Sequence, residues 1–435
     1  MKKVIFYNTL ILFLLMIGHR SFSQGSWEKV YVPTSQYLKS VFFVDSLHGW
    51  IVGDSGIILH TADGGNNWEF QESGTENEIF SVFFLDNNRG WASSFDFSSL
   101  PYHTDILSTT DGGESWSSNQ YPEDDTFITC ILFLDSLTGW MGGMPHALVK
   151  TTDGGGSWEQ AAIDTTVLAF FPVLNITFYD ENHGFAAGGM FDIAGTMWRT
   201  GNGGNLWTPV DAAYAPADEV HGVHMFDPQN IIAAGGDPDF GYGVAIMKSS
   251  DGGDTWNYEE LGFPGNAYDL DFRNETDAWC PLGPRRKLIY SMDGGDTWGQ
   301  VETPDSTAIF ELCFPDSLHG FGVGQEGAVI RYKPPVPTFV EQEKLSSGFQ
   351  IFPNPTFGFT NFSFEIETVN HESKSELVIH DNKGKVVFRK IVDIATITDR
   401  VLQMDLSHLE EGMYYFCLLS EGKDMVFSGK IVKIR

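Results

Sequence analysis

Six phrases of this chain hold an acidic or amide side chain at one fixed distance from paired glycines and an aromatic ring. They are TADGGNNW (61–68), TTDGGESW (109–116), TTDGGGSW (151–158), TGNGGNLW (200–207), SSDGGDTW (249–256) and SMDGGDTW (291–298). Asp63, Asp111, Asp153, Asn202, Asp251 and Asp293 offer oxygens that could ligate a cation, move a proton, or accept backbone N–H bonds across a turn. The glycines can take the positive φ such a turn needs. Trp68, Trp116, Trp158, Trp207, Trp256 and Trp298 can anchor it between strands. A reactive centre is built once in a chain, whereas this phrase recurs in nearly every unit. The repetition assigns these residues a structural role, and no catalytic residue or metal ligand is assigned among them.

The elements that carry the phrase repeat with it. Successive phrase tryptophans fall 42 to 49 residues apart, the period of a four-stranded propeller blade. An apolar strand, an acidic turn and a Gly-aromatic step precede each phrase, as in SVFFVDSLHGW (40–50), SVFFLDNNRGW (81–91), CILFLDSLTGW (130–140), NITFYDENHGF (175–185) and ELCFPDSLHGF (311–321), with weaker copies at 222–232 and 269–279. Seven leading strands face six Asp-Gly phrases. GSWEKVYVP (25–33) resembles the stretch after the first phrase, so the chain's start supplies the seventh unit's outer strand, pairing antiparallel with GAVIRY (327–332). Closure of that kind removes exposed sheet edges. The expected fold class is all-β, a seven-bladed β-propeller over 25–333 followed by a small Ig-like antiparallel β-sandwich.

The phrase resembles the Asp box, [ST]-x-D-x-G-x-x-[WF], of sialidases, sortilin-type receptors, some xyloglucanases and the photosystem II assembly-factor propellers. The doubled DGG and the Gly-Trp step resemble the assembly-factor family most, over about 300 residues. That resemblance implies non-catalytic binding of another protein. The acidic surface and the appended tail depart from the family's pattern.

The chain's formal charge is −32, nearly all of it carried by the propeller residues. Such a surface repels phosphate backbones and anionic lipid, which argues against nucleic acid as a partner. Residues 1–23 read as an export signal: Lys2 and Lys3, the apolar run 10–18, then small residues with cleavage after Ser23. No later segment is apolar enough to span a membrane, so no transmembrane segment is expected in the mature protein. Cys130, Cys280, Cys313 and Cys417 show no metal spacing and read as buried strand thiols, with Cys280 and Cys313 placed to oxidise if their strands are adjacent.

Residues 334–348 form a Pro-rich, then polar linker. Residues 349–435 alternate apolar and polar residues between Asn/Gly turns, a sandwich pattern. Pro353-Asn354-Pro355, the DNKGK turn containing Gly384, the LEEGMYYF step with Gly412 and Tyr414, and a basic final strand resemble the type A C-terminal sorting domain of the type IX secretion system of Bacteroidota. The resemblance implies type IX machinery as a partner, export through the outer membrane, and release or surface attachment.

Long insertions fall on the propeller face opposite the Asp-Gly turns and mix aromatics with carboxylates, as protein and glycan sites do. Tyr102, Tyr121, Asp124, Phe170, Phe171, Phe191, Asp237, Asp239 and Tyr242 are the candidate binding residues. No cofactor is required; Asp237 and Asp239 with Asp124 and Asp125 are the group that could hold Ca²⁺. HGVH (221–224) is rejected as a metal motif because i and i+3 on a strand face opposite sides. A sialidase needs converging arginines, and Arg89, Arg199, Arg273, Arg285, Arg286 and Arg331 are too few and too scattered. The expected function is a secreted or surface propeller that binds a protein or glycan without catalysis; the alternative is a carbohydrate-active enzyme.

Overall fold

The computed structural model describes the chain except for residues 1–23, 165–170, 192, 211–218, 238–242, 336–348, 353, 355, 358, 365–373, 382–384, 394–400, 420–424 and 435. Two compact units divide it, residues 1–336 and 337–435.

Seven four-stranded antiparallel sheets make up the first unit. In blade 1 the strands are Leu38–Phe43, Gly49–Gly53, Ile58–Thr61 and Glu69–Gln71, from the ring axis outward. Blades 2 to 6 span 78–120, 127–160, 173–209, 220–260 and 271–302. Blade 7 takes three strands from 309–333 and its fourth from Ser26–Val30, which pairs antiparallel with Val329–Lys333 in the register Trp27↔Tyr332 to Val30↔Val329. The expected seven-bladed propeller is met, closed by its own first strand.

Burial explains why the blades stack. In blades 1 to 3 the Gly-aromatic step opens the second strand, where the strand is buried on both faces. Its ring reaches the next blade. Trp50 stacks on Phe84 with centroids 3.5 Å apart, and Trp116, the phrase tryptophan of that next blade, stands edge-on to the same ring at 5.8 Å. Trp91, Phe133 and Trp158 repeat the arrangement, as do Trp140, Phe178 and Trp207, and Phe321, Phe43 and Trp68. Between blades 6 and 7, which has no Asp-Gly phrase, Trp27 stands 5.5 Å from Trp279 and 5.7 Å from Phe314. It occupies the phrase tryptophan's role at the closure. Aromatic pairs of this geometry add to their area burial, so the ring is held by a repeated three-ring contact.

The second unit consists of the sheet Phe349–Phe352, Phe359–Phe364, Val401–Asp405 and the sheet Val386–Asp393, Lys374–His380, Gly412–Leu419, Met425–Lys433. Phe362, Ile379, Leu406, Phe416 and Ile431 are fully buried among its core residues. This is the expected antiparallel sandwich.

Candidate functional site

Each Asp-Gly turn is built by three groups. In the first, Thr61 is buried and its hydroxyl accepts the buried Gly65 N–H at 3.0 Å while donating to Asp63 Oδ1 at 2.9 Å. Asp63 Oδ1 then accepts the outlying Asn66 and Asn67 amides at 3.0 and 2.9 Å. Thr109, Thr151, Thr200, Ser249 and Ser291 act alike toward Gly113, Gly155, Gly204, Gly253 and Gly295. The hydroxyl, not the carboxylate, serves the inner amide. Asn202 keeps the arrangement through its Oδ1, which accepts Leu206 N–H at 3.0 Å. Hydrogen bonds led by the Ser115, Ser157 and Thr255 hydroxyls hold Asp111, Asp153 and Asp251 at about 2, well ionised. Committed acceptors of this kind make poor proton carriers.

The doubled glycine serves two blades. The first of each pair donates its N–H to the first turn of its own blade, as Gly64 does to Leu47 O at 2.9 Å and Gly154 to Leu137 O at 2.9 Å. The second lies against the preceding blade: a Cβ on Gly65 would meet Phe321 at 2.4 Å, and one on Gly204 would meet Trp140 at 2.5 Å. These turns therefore share one face of the ring and lock it. Between the turns of blades 4 and 5 a groove of about 500 Å³ is spanned by Arg199, which donates to Gly252 O at 2.7 Å and pairs with Asp254.

The opposite face holds a different feature. A cavity of about 380 Å³ lies on the ring axis, lined by residues of all seven blades. The innermost strands of blades 1 to 5 and 7 bulge near their start, between Leu38/Ser40, Ile79/Ser81, Ile128/Cys130, Val173/Asn175, Val220/Gly222 and Ile309/Glu311. A bulge re-aims a side chain. The bulged His221 and Phe310 join Tyr268 and Tyr37 in an aromatic arc at the channel mouth: His221 lies 5.3 Å from Tyr268, Tyr268 5.0 Å from Phe310, and Phe310 5.5 Å from Tyr37. Lys39 continues it, its ammonium 4.6 Å from the Tyr37 centroid and 4.1 Å from that of Phe80. From Phe80 the rings run on through Phe95 at 4.3 Å to Phe127 and Phe97.

Below the arc stand three half-buried carboxylates. Glu311 Oε1 accepts the Ser40 hydroxyl at 2.8 Å and the Val41 N–H at 3.0 Å, joining blade 7 to blade 1. Asp269 accepts Leu312 N–H at 2.9 Å and Asp271 accepts Phe314 N–H at 2.7 Å, joining blade 6 to blade 7. Each lines the channel and is only partly exposed. Burial pushes Asp269 up to about 6, burial and the Asp269 charge push Asp271 up to about 7, and the same two causes push Glu311 up to about 8. Tyr37 is likewise pushed well above its ordinary range by burial and by Asp54 and Glu311. Sequence reasoning missed all of these residues. The one available signal was a carboxylate in the apolar runs DLDF and ELCF.

Among the described residues, the candidates read from the sequence are spread over several places. Tyr102 joins the aromatic patch, 5.5 Å from Phe97 and 6.2 Å from Phe127, and Asp124 pairs with His103 at 3.1 Å. Tyr121 is a correction: it is buried with Ile106, Ile128 and Met141, because its backbone N–H continues the pairing to Thr104 O and turns the ring into the core. Phe171 is half-buried against the blade 3 and 4 core, and Phe191 is half exposed. Asp237 ends the strand Ile231–Asp237 opposite Gly243. Phe170, Asp239 and Tyr242 lie outside the described residues. His221 and His224 both line the channel, contrary to the parity argument, because the bulge at His221 shifts the alternation by one residue. Burial drives His224 down to about 4, and it stacks on Phe272 at 4.3 Å. Among the described residues no group of three or more His, Cys, Asp or Glu is arranged to hold a metal ion. All four cysteines are free thiols; burial pushes Cys130 up to about 12, and Cys280 and Cys313 are raised by the same cause.

In the tail, Asn354 donates through Nδ2 to Lys430 O at 2.7 Å and accepts Val432 N–H at 2.8 Å, and the Tyr414 hydroxyl donates to Glu410 O at 2.9 Å. Gly412 opens the strand Gly412–Leu419. Pro353, Pro355 and Gly384 lie outside the described residues.

Residues 20–96 and 74–208 match the family described as photosynthesis system II assembly factor YCF48, and residues 350–434 match the secretion system C-terminal sorting domain. The chain joins a YCF48-like propeller to a sorting domain. The photosystem II assembly lipoprotein Ycf48 of Synechococcus sp. (strain CC9902) is 30% identical over 117 residues, 26% of this chain and 33% of that protein; the chain thus matches about a third of that relative's length. Among solved structures, YCF48 bound to D1 peptide aligns with a TM-score of 0.56 at 24% identity, covering 71% of this chain and 96% of that one. The GH74 xyloglucanase from Xanthomonas campestris aligns at 0.54 and 12% identity, over 78% of this chain and 59% of that one. At such identities these likenesses show the propeller fold alone. The sorting domain implies type IX machinery and export to the surface or beyond. No described helix is long and apolar enough to cross a membrane.

Proposed function

We propose that the YCF48-like propeller is a non-catalytic binding module for a segment of another protein, presented outside the cell through its sorting tail. One observation carries the reading. On the face away from the Asp-Gly turns, Phe95, Phe97, Tyr102 and Phe127 form a contiguous aromatic cluster, Phe97 stacked on Phe127 and edge-on to Phe95 and Tyr102, and Phe97 and Leu100 are 46% and 75% exposed. Packed aromatics at a water boundary are the composition of interface centres. The solved YCF48 carrying a D1 peptide supports the same use of a related fold.

The test places a photo-reactive side chain at Phe97, and in a separate protein at Asn67 on the opposite face, and exposes the full chain to the producing cells' outer surface. A single protein ligand crosslinked from position 97 alone is expected. Equal labelling from both positions, or hydrolysis of a polysaccharide by the purified chain, would displace this reading, the latter in favour of a glycoside hydrolase.

A further inference from the structure

We infer that the channel mouth receives the cationic side chain of an extended partner segment, a lysine or arginine whose stem lies on the aromatic arc and whose head reaches Glu311 and Asp269. This rests on the binding reading above and adds its place and chemistry.

Three observations support it. The first is the cavity itself: about 380 Å³ lies at the lower end of the roughly 300–1,000 Å³ typical of ligand sites, enough for one long side chain with water but not for a folded element. The second is the pairing of surfaces. The arc of His221, Tyr268, Phe310 and Tyr37 offers ring faces to an aliphatic stem or a cation, and the carboxylates directly below belong to the residues that follow Tyr268 and Phe310 in the chain. The other side of the channel is neutral, lined by Ser81, Phe83, Thr129, Leu132 and Asn175. A cation entering the mouth is drawn to one sector.

The third observation is Lys39, which uses the same chemistry within the chain. Its ammonium rests over Tyr37 and Phe80 and pairs with Asp54 at 3.1 Å and Glu78 at 3.3 Å. Across Tyr37 the arc repeats aromatic faces over carboxylates. Arg285 and Arg286 sit exposed on the turn beyond Gly283, with Arg285 lying over Gly265. The net charge of −32 favours arrival of a basic segment from solution.

The experiment titrates the full chain calorimetrically with trilysine, triarginine, triglutamine and triglutamate at low ionic strength and pH 9, where Asp269 and Glu311, raised to about 6 and about 8, are ionised and the lysine side chain is still charged. Trilysine and triarginine should bind at least tenfold more tightly than triglutamine. Glu311→Gln retains an acceptor for Val41 N–H and Asp269→Asn one for Leu312 N–H, so both should fold; each should weaken trilysine at least fivefold, as should Phe310→Leu. The exposed outer-strand pair Glu259→Gln/Glu260→Gln removes two charges and should change affinity less than twofold. Equal weakening by the outer pair would mean diffuse attraction, and unchanged affinity in all channel variants would mean another site; either overturns the inference. Tighter binding of triglutamine, lost in Phe310→Leu, would also overturn it while leaving the binding module intact. Loss of the position-97 crosslink is the separate failure of that broader reading.

Discussion

The indole N–H of Trp50 donates to the carbonyl oxygen of Gly112 at 3.1 Å, so the second strand of one blade latches the Asp-Gly turn of the next. Trp91 repeats the bond to Gly154 O at 3.2 Å, and Lys150 reaches Gly203 O at 2.8 Å where the next blade follows. The turn is therefore a joint between blades as well as a hairpin end. Trp50→Phe keeps a ring on Phe84 but removes the donor. It should cost about 1–2 kcal/mol in chemical denaturation, the value of one such bond plus the carbonyl left unpaired. A loss below the measurement error would show that the latch is geometric only.

Paired glycines give a cleaner test of that joint. Gly65 and Gly74 both have positive φ, +74° and +79°, so alanine suffers similar backbone strain at either. Only Gly65 also meets a neighbour, Phe321 of the preceding blade; nothing lies within 4 Å of a Cβ on Gly74. Gly65→Ala should therefore be the more destabilising by about 1–3 kcal/mol, the usual cost of overpacking. Equal melting temperatures would refute the inter-blade role of the second glycine.

Inside the turn, the buried hydroxyl outweighs the carboxylate. Thr61→Val leaves the buried Gly65 N–H without its acceptor, which should cost about 1–3 kcal/mol. Asp63→Asn retains an oxygen for the Asn66 and Asn67 amides and should be milder. The reverse order in urea denaturation would contradict the assignment.

These contrasts mark what the sequence reveals and what it hides. Period, leading strands and the orphan GSWEKVYVP suffice for seven blades and their closure, because each is a local pattern repeated. The channel is not local. Its wall is assembled from one short strand of every blade, and the bulges move Lys39, Phe80, His221 and Phe310 off the plain alternation, so a two-residue period assigns His221 and His224 to opposite faces. Tyr121 fails for a similar reason: an aromatic beside acidic residues reads as a loop side chain, and only the pairing of its backbone to Thr104 places it inside.

The channel carboxylates and the turn carboxylates should respond to pH in opposite senses. Glu311 is raised from its ordinary 4.5 to about 8, so the folded chain holds that proton more tightly than the unfolded one. Its contribution is full below about 4.5 and is lost as pH rises through about 8. Asp269 and Asp271 act in the same direction. Asp111, Asp153 and Asp251 are lowered to about 2, so their contribution is present above the ordinary 3.8 and lost as pH falls through about 2. The melting temperature should decline from pH 5 to pH 8, and Glu311→Gln should flatten that decline without altering the loss below pH 4. An identical pH profile for Glu311→Gln would exclude Glu311 as a source of the alkaline slope.

Ring closure makes its own prediction. Trp27 fills the position that a phrase tryptophan takes elsewhere, and its strand carries Glu28, whose carboxylate accepts Arg331 at 2.9 Å and also pairs with Lys333. Deleting residues 25–33 exposes the edge of Val329–Lys333 and should lower the melting temperature sharply, with Trp27→Ala giving about 3–5 kcal/mol of the loss. An unchanged melting temperature in the deletion would mean that the ring does not need its first strand.

The sorting tail can be probed at Asn354. Its flanking residues are Pro353 and Pro355, and proline has no N–H to donate. The Asn354 side chain supplies a donor to Lys430 O and an acceptor to Val432 N–H, which extends the pairing of the edge strand Met425–Lys433; Thr356 N–H then bonds Val432 O at 2.8 Å. Asn354→Asp keeps the acceptor and loses the donor, and Asn354→Ala loses both. Because the chain divides into two compact units, neither change should move the propeller's melting transition. Both should reduce export in a host with type IX machinery, alanine more than aspartate, with the protein accumulating in the periplasm. Fractionation reads the outcome directly: wild-type export of Asn354→Ala would show that this side-chain pairing is dispensable for sorting, and a shifted propeller transition would show that the units are coupled.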